Sequence, residues 1–187
     1  GVDFAKGEYI YFTGGKLDRD VDYIEKAVTA CENIPCDAVY TTVLSKIEKP
    51  NRWERARELE RKCYFREKGM SSARFVRKDV FLKVGGLDET LGGVADDLEF
   101  QHRLDLAGYK TEFIDANEYN LHEWNSVRAI VLKSLYYGWL LNRYFKKFPE
   151  KTNKQYKVIR TEFITHRREL FADKSVFVFF LVYKVLQ

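Results

Sequence analysis

Short apolar segments alternate with longer charged ones over about the first 120 residues, and this order constrains the fold more than any other feature. Aromatic and β-branched side chains predict strands over residues 8–13, 38–45, 72–76 and 111–115. Between them the pattern predicts helices over residues 21–32, 52–66, 78–84 and 96–107. Further along, only helices are predicted, over residues 126–148 and 153–171. The sequence therefore favours an α/β domain over residues 1–124 and a helical tail over residues 125–187.

Composition excludes several classes of protein. The chain has 187 residues, enough for a substantial core, and 45% of them are apolar, which excludes a disordered chain. A net charge of +4 does not require a nucleic-acid partner. The three cysteines, Cys31, Cys36 and Cys63, form no CxxC motif, so reduced structural thiols are expected rather than a zinc knuckle. Neither a signal peptide nor a membrane-spanning segment is predicted.

Positive charge is concentrated near the end of the chain. Residues 143–169 contain nine Lys or Arg and three Glu, a local charge of +6, and an apolar segment follows at 175–187. A basic segment beside an apolar one is typical of contact with a membrane surface, here through residues 143–187. The alternative is a solvated helix followed by a core segment. Nucleic acid is the weaker alternative, because the apolar end favours lipid.

The stretch between residues 85 and 99 is the most informative about function, because it combines glycines and carboxylates. Gly85, Gly86, Gly92 and Gly93 precede the adjacent Asp96 and Asp97 at a predicted helix start. One interpretation is that Asp96 caps the helix and Asp97 complements its dipole. In the other, one carboxylate caps while its neighbour faces a cleft and accepts a proton. Glu99 and Arg103 stand four residues apart and are predicted to pair on the helix surface.

These residues resemble the second half of family-2 glycosyltransferases of the GT-A fold. Four stretches typical of the family occur here in the same order: RRxxF at residues 73–81, VGGFDE at 84–89, EDxD at 96–99 and RLxxAGYK at 103–110. Residues 5–10 resemble the family's AkGeyi stretch. The resemblance covers about residues 1–140, and residues 133–138 (KSLYYG) resemble the helical tails of archaeal-type members that lie on membranes.

The resemblance implies a partial GT-A (Rossmann-like) mixed sheet and an inverting hexosyltransferase at the cytoplasmic face of a membrane. A nucleotide-sugar would donate the sugar to a hydroxyl of a glycan or lipid-linked acceptor, with Asp97 as general base. Asp96, Gly85, Gly86, Asp88 and Trp124 would form the acceptor side. Lys16 and Arg74 would bind the donor, and His122 would complete a divalent-cation site. Trp124 and Trp139 are candidate platforms for stacking against a sugar, although Trp139 lies in a helical pattern and is expected in the core.

Two departures from the family bear on catalysis. Where the family carries its metal-binding DxD, this chain has Gly14 and Lys16, and an ammonium group cannot bind Mg²⁺ or Mn²⁺. Asp18 and Asp20 lie nearby and could replace the motif, although they could instead cap the next helix. The family's N-terminal nucleotide-binding half is also missing from this sequence, and we expect it elsewhere. The alternative function is a degenerate, non-catalytic GT-A-like binding module.

Overall fold

The structure is a computed structural model that describes residues 2–14, 17–91, 93, 95–149 and 160–186. Its strands are β1 (Tyr9–Tyr11), β2 (Leu17–Arg19), β3 (Ala38–Thr41), β4 (Val43–Ser45), β5 (Ser72–Arg77), β6 (Thr111–Phe113) and β7 (Glu118–Asn120). Its helices are α1 (Tyr23–Asn33), α2 (Arg52–Cys63), α3 (Lys78–Lys83), α4 (Asp96–Leu106), α5 (Val127–Lys147), α6 (Thr161–Thr165), α7 (Arg167–Ala172) and α8 (Lys174–Leu186).

The chain folds into two compact units. The first comprises Gly1–Thr42 and Arg66–Glu118, and the second Val43–Phe65 and Tyr119–Gln187. The fold is mixed α/β, with sheets flanked by helices and a helical C-terminal part, as the sequence predicts. The predicted boundary after residue 124 stays a prediction.

A mixed sheet of four strands, in the order β1-β5-β3-β6, forms the centre of the first unit. β5 is antiparallel to both β1 and β3, whereas β3 is parallel to β6. Neighbouring residues of β3 point to opposite faces, so Ala38 packs in one cluster with Phe100 and Leu104 of α4. Val39 packs in another cluster, with Tyr23 of α1. Because helices cover both faces, every residue of β3 is buried.

Most predicted elements are confirmed, with ends that move by a few residues. The predicted strand over 38–45 is interrupted at Thr42 and forms two strands, which join different sheets. β2, β4 and β7 form the second sheet, of which the sequence predicts only the part within 38–45. The predicted helix over 153–171 lies partly outside the described residues, and its described part forms α6 and α7.

In the second unit α8 packs against α2, and their shared core contains Ala56, Cys63 and Phe180. The apolar C-terminal segment is therefore partly a core element, although Val185 on the same helix is 81% exposed. Trp139 of α5 is 68% exposed, so its predicted place in the core is wrong. Within the described ranges, no helix combines the length and apolarity needed to cross a bilayer.

Candidate functional site

Asp96 and Asp97 occupy the first turn of α4. The cap position belongs to Ala95, whose backbone is left-handed (φ +59°) and whose side chain makes no capping hydrogen bond. The prediction that Asp96 caps this helix is therefore wrong. Both carboxylates still lie where the helix dipole favours negative charge. A left-handed alanine is uncommon and costs conformational energy, which is a frequent feature of functional loops.

Five side chains of the first unit are linked in series by hydrogen bonds and are here called the Asp97 cluster. They are Tyr11, Ser72, Arg74, Asp97 and Glu118. Ser72 Oγ donates to Asp97 Oδ2 (2.9 Å), and Arg74 Nη2 lies 3.5 Å from the same oxygen. Arg74 Nη1 donates to Glu118 Oε2 (3.0 Å), and the Tyr11 hydroxyl donates to Glu118 Oε1. One guanidinium thus joins two carboxylates, and β5 supplies both Ser72 and Arg74.

Burial differs sharply along the cluster. The Glu118 side chain is fully buried, whereas that of Asp97 remains 29% exposed. Burial lowers the pKa of Arg74, but the charges of Asp97 and Glu118 outweigh it, so the net shift is upward. Burial and the bond to Glu118 raise the pKa of Tyr11 to about 12, so Tyr11 remains a neutral donor at neutral pH. Asp97 is the carboxylate of this cluster that a solvent-borne hydroxyl can reach.

Asp96 has different surroundings. Burial, and then the neighbouring negative charge of Asp97, raise the pKa of the Asp96 carboxyl. Adjacent carboxyl groups in unlike environments are typical of sites where one group holds a proton and the other accepts one. Both carboxyl groups are therefore candidates for acid–base chemistry.

The Gly85-Gly86 turn is held by α4. Both glycines have left-handed backbones, with φ of +86° and +66°. Arg103 donates to the carbonyl oxygens of Val84 and Gly86, the latter at 2.5 Å, and also binds Glu99 (2.6 Å). The predicted Glu99–Arg103 pair is confirmed, but its predicted place on the surface is wrong for Glu99, which is fully buried. The pair anchors the turn because a buried carboxylate fixes the arginine that binds its carbonyl groups.

Asp88 closes the next turn. Its Oδ1 accepts hydrogen bonds from the Thr90 backbone N–H (2.9 Å) and from Thr90 Oγ1 (2.6 Å). Gly85, Gly86 and Asp88 thus all have roles in shaping the loop before α4. Their contact with an acceptor stays a prediction.

A divalent-cation site at Asp18, Asp20 and His122 stays a prediction, and two of these side chains accept hydrogen bonds from backbone N–H groups. Asp18 Oδ1 accepts from the Arg19 N–H, and Asp20 Oδ2 accepts from the Asn117 N–H, both at 2.9 Å. The N-cap of α1 is Asp22, so the alternative prediction, that Asp18 or Asp20 caps this helix, is wrong. His122 is an exposed residue of the second unit, and Lys16 lies outside the described residues. Among the described residues, no group of three His, Cys, Asp or Glu could hold a metal ion.

Trp124, the predicted sugar platform, is half-buried in the second unit. Lys133 Nζ lies 4.7 Å from the centre of its ring, and the rings of Tyr137 and Tyr183 are each 6.1 Å away. These neighbours fix the orientation of the indole. Its contact with a sugar stays a prediction.

A buried charge cluster in the second unit was not predicted. Arg57, Glu60 and Arg61 of α2 meet Glu123 and Lys184, with Lys184 Nζ 2.8 Å from Glu60 Oε1 and Arg61 Nε 2.5 Å from Glu123 Oε1. Arg57 also pairs with Glu60. The spacing of 57, 60 and 61 on one helix face was the available signal, but charged residues at that spacing normally face solvent.

A cavity of about 600 Å³ in the first unit was also not predicted. It lies at the end of β5 opposite to Ser72 and is lined by Tyr9, Arg77, Lys78 and Asp79, among others. Arg77 Nε lies 3.2 Å from Asp79 Oδ1, and Lys78 Nζ donates to the Ala5 carbonyl, so these charged groups already have partners.

Neither a protein-family model nor a curated protein matches this chain. The resemblance to family-2 glycosyltransferases therefore rests on the motifs described above and on their order.

Proposed function

We propose that this chain is the acceptor-side part of an inverting glycosyltransferase, with Asp97 as its general base. The observation that carries the proposal is the position of Asp97, a partly exposed carboxylate at the start of α4 whose Oδ2 is held by Ser72 and Arg74. A fixed carboxylate with one face open to solvent is what deprotonation of an incoming hydroxyl requires.

In this mechanism the acceptor hydroxyl donates a hydrogen bond to Asp97. Its oxygen attacks the anomeric carbon of the nucleotide-sugar and its proton passes to Asp97. The bond from that carbon to the diphosphate breaks on the opposite face, the electron pair leaves with the nucleoside diphosphate, and the configuration inverts. Arg74 and Glu118 position Asp97 from behind. The proposal routes no step through a metal ion.

Fewer observations support the proposed binding of the sugar donor. Arg74 is the one predicted donor-binding residue in the described part of the chain, and its guanidinium already joins Asp97 and Glu118. A nucleotide-binding half, as the resemblance implies, would have to supply most donor contacts. The acceptor would be a glycan or a lipid-linked hydroxyl, and the site of action the cytoplasmic face of a membrane.

Transfer of labelled sugar from UDP- and GDP-sugars tests the proposal, in protein that also carries the nucleotide-binding half. Asp97→Asn removes the base with little change in shape, so transfer should fall by about 100-fold or more. Asp3→Asn makes the same change at an exposed position and should leave the rate unchanged. Asp96→Asn shows which carboxylate takes the proton. Full transfer by Asp97→Asn, with an unchanged circular dichroism spectrum, would refute the role of Asp97.

A non-catalytic binding module is the second candidate, and it is favoured by Gly14 and Lys16 at the DxD positions. Calorimetric titration with UDP and GDP, with and without Mn²⁺, separates the two candidates. Nucleotide binding supports the transferase. Glycan binding without nucleotide binding supports the module.

A further inference from the structure

Helix α5 presents an apolar surface to solvent. Leu132, Leu135, Tyr136 and Trp139 are 57–69% exposed. Their spacing of three and four residues places them on one face of the helix, over about two turns. The opposite face of α5 is anchored in the second unit through Ile130, Leu140 and Tyr144, which are buried. The exposed group, Leu132, Leu135, Tyr136 and Trp139, is called the α5 face below.

The charged residues of α5 itself are all basic. Residues 127–147 contain five Lys or Arg and no Asp or Glu, a charge of +5 that exceeds the +4 of the whole chain. Arg128 lies before the apolar residues, and Arg143, Lys146 and Lys147 lie after them, all four exposed. At 100° per residue, Arg128 and Lys146 fall in line with Trp139. The surface is therefore apolar in its middle and basic at both ends.

We propose that the α5 face docks on the surface of an anionic lipid bilayer, with the helix lying parallel to it. Leucine, tyrosine and tryptophan suit the boundary between headgroups and acyl chains, and basic ends suit anionic headgroups. Charge selects lipid over a second copy of the chain, because two α5 faces in contact would bring together two helices that each carry +5. At about 30 Å, α5 carries too many charges to cross the bilayer.

This surface lies before residues 143–187, where the charge pattern predicts membrane contact, and it overlaps residues 133–138, whose resemblance to membrane-lying tails is described above. Helix α8 supplies most of the apolar residues of 175–187, and it buries Val176, Phe180 and Tyr183. Deleting residues 174–187 would therefore remove part of the core and would not test docking. The α5 face is also independent of the proposed transfer reaction, since vesicle binding requires neither donor nor acceptor.

Co-sedimentation of the full 187-residue chain with vesicles tests the proposal. Phosphatidylcholine vesicles with and without phosphatidylserine are compared at low and high salt. We expect binding only with phosphatidylserine, and weaker binding at high salt. The double variant Leu135→Ser/Trp139→Ser should bind about tenfold less or weaker still. Arg128→Gln/Lys146→Gln should lose about fivefold per charge removed.

Leu82→Ser/Leu106→Ser is the matched control, because it removes two comparably exposed apolar side chains from the first unit and should bind normally. Circular dichroism verifies that each variant is folded. The proposal is overturned by absence of vesicle binding, by equal binding to both vesicles, or by full binding of the Leu135/Trp139 variant. It is also overturned if the wild type dimerises in sedimentation velocity and this variant does not, since a second copy would then cover the face.

Discussion

Glu118 is the residue on which the candidate site depends most. Its side chain is fully buried and accepts hydrogen bonds from both Arg74 and Tyr11. A buried carboxylate is tolerated only with such partners, and the partners in turn depend on it. Glu118 lies in a strand that the sequence pattern did not predict, since a three-residue strand has too few residues to show alternation. The Asp97 end of the site was predictable from sequence, whereas its buried support was not.

Glu118→Ala should lower the free energy of unfolding by about 3–5 kcal/mol. The change leaves the guanidinium of Arg74 with one partly exposed partner, and it leaves the Tyr11 hydroxyl without its acceptor. Urea denaturation measures this as a lower midpoint at unchanged slope. Asp115→Ala removes an exposed partner of Arg66 and should have little effect. Equal midpoints for Glu118→Ala and the wild type would show that the cluster does not stabilise the fold.

At the scale of elements, the sequence predicts most helices and strands of the central sheet but misjudges which helix faces are buried. α2 is rich in charge, yet Glu60 is buried because Arg57 and Lys184 supply countercharge. The helical pattern predicts that α5 buries Trp139, yet this side chain faces solvent. Local periodicity finds a helix, but its orientation depends on partners distant in the chain, such as Lys184 for α2.

The turn between α3 and α4 gives a prediction at this scale. A Cβ at Gly86 would lie 3.0 Å from a ring carbon of Phe81 and would sit on a left-handed backbone. Gly108 has a similar backbone, φ +79°, and a Cβ added there would meet nothing within 4 Å. Gly108→Ala should therefore cost only the backbone strain, about 1–2 kcal/mol, and Gly86→Ala clearly more. Thermal melts of the two variants measure the difference, and equal melting temperatures would contradict a tight fit against Phe81.

At the scale of the whole molecule, the two units differ in their tryptophan content. All three tryptophans, Trp53, Trp124 and Trp139, belong to the second unit. Tryptophan fluorescence therefore reports on this unit, which contains the buried charge cluster. Burial alone would raise the pKa of Glu60, but the charges of Arg57 and Lys184 outweigh it and lower that pKa to about 2.

A carboxyl group whose pKa is lower in the folded than in the unfolded protein stabilises the fold above its unfolded value, here 4.5. That stabilisation is lost progressively as the pH falls from about 4.5 towards 2. We therefore expect the second unit to lose stability over this window, measured by urea denaturation with tryptophan fluorescence at successive pH values. Glu60→Gln should be less stable at pH 7, because Arg57 and Lys184 lose a countercharge, and its stability should fall less steeply over the same window. Parallel pH profiles for the two proteins would show that Glu60 does not govern the acid sensitivity of this unit, and would leave Glu123 as the next carboxylate of the cluster to replace.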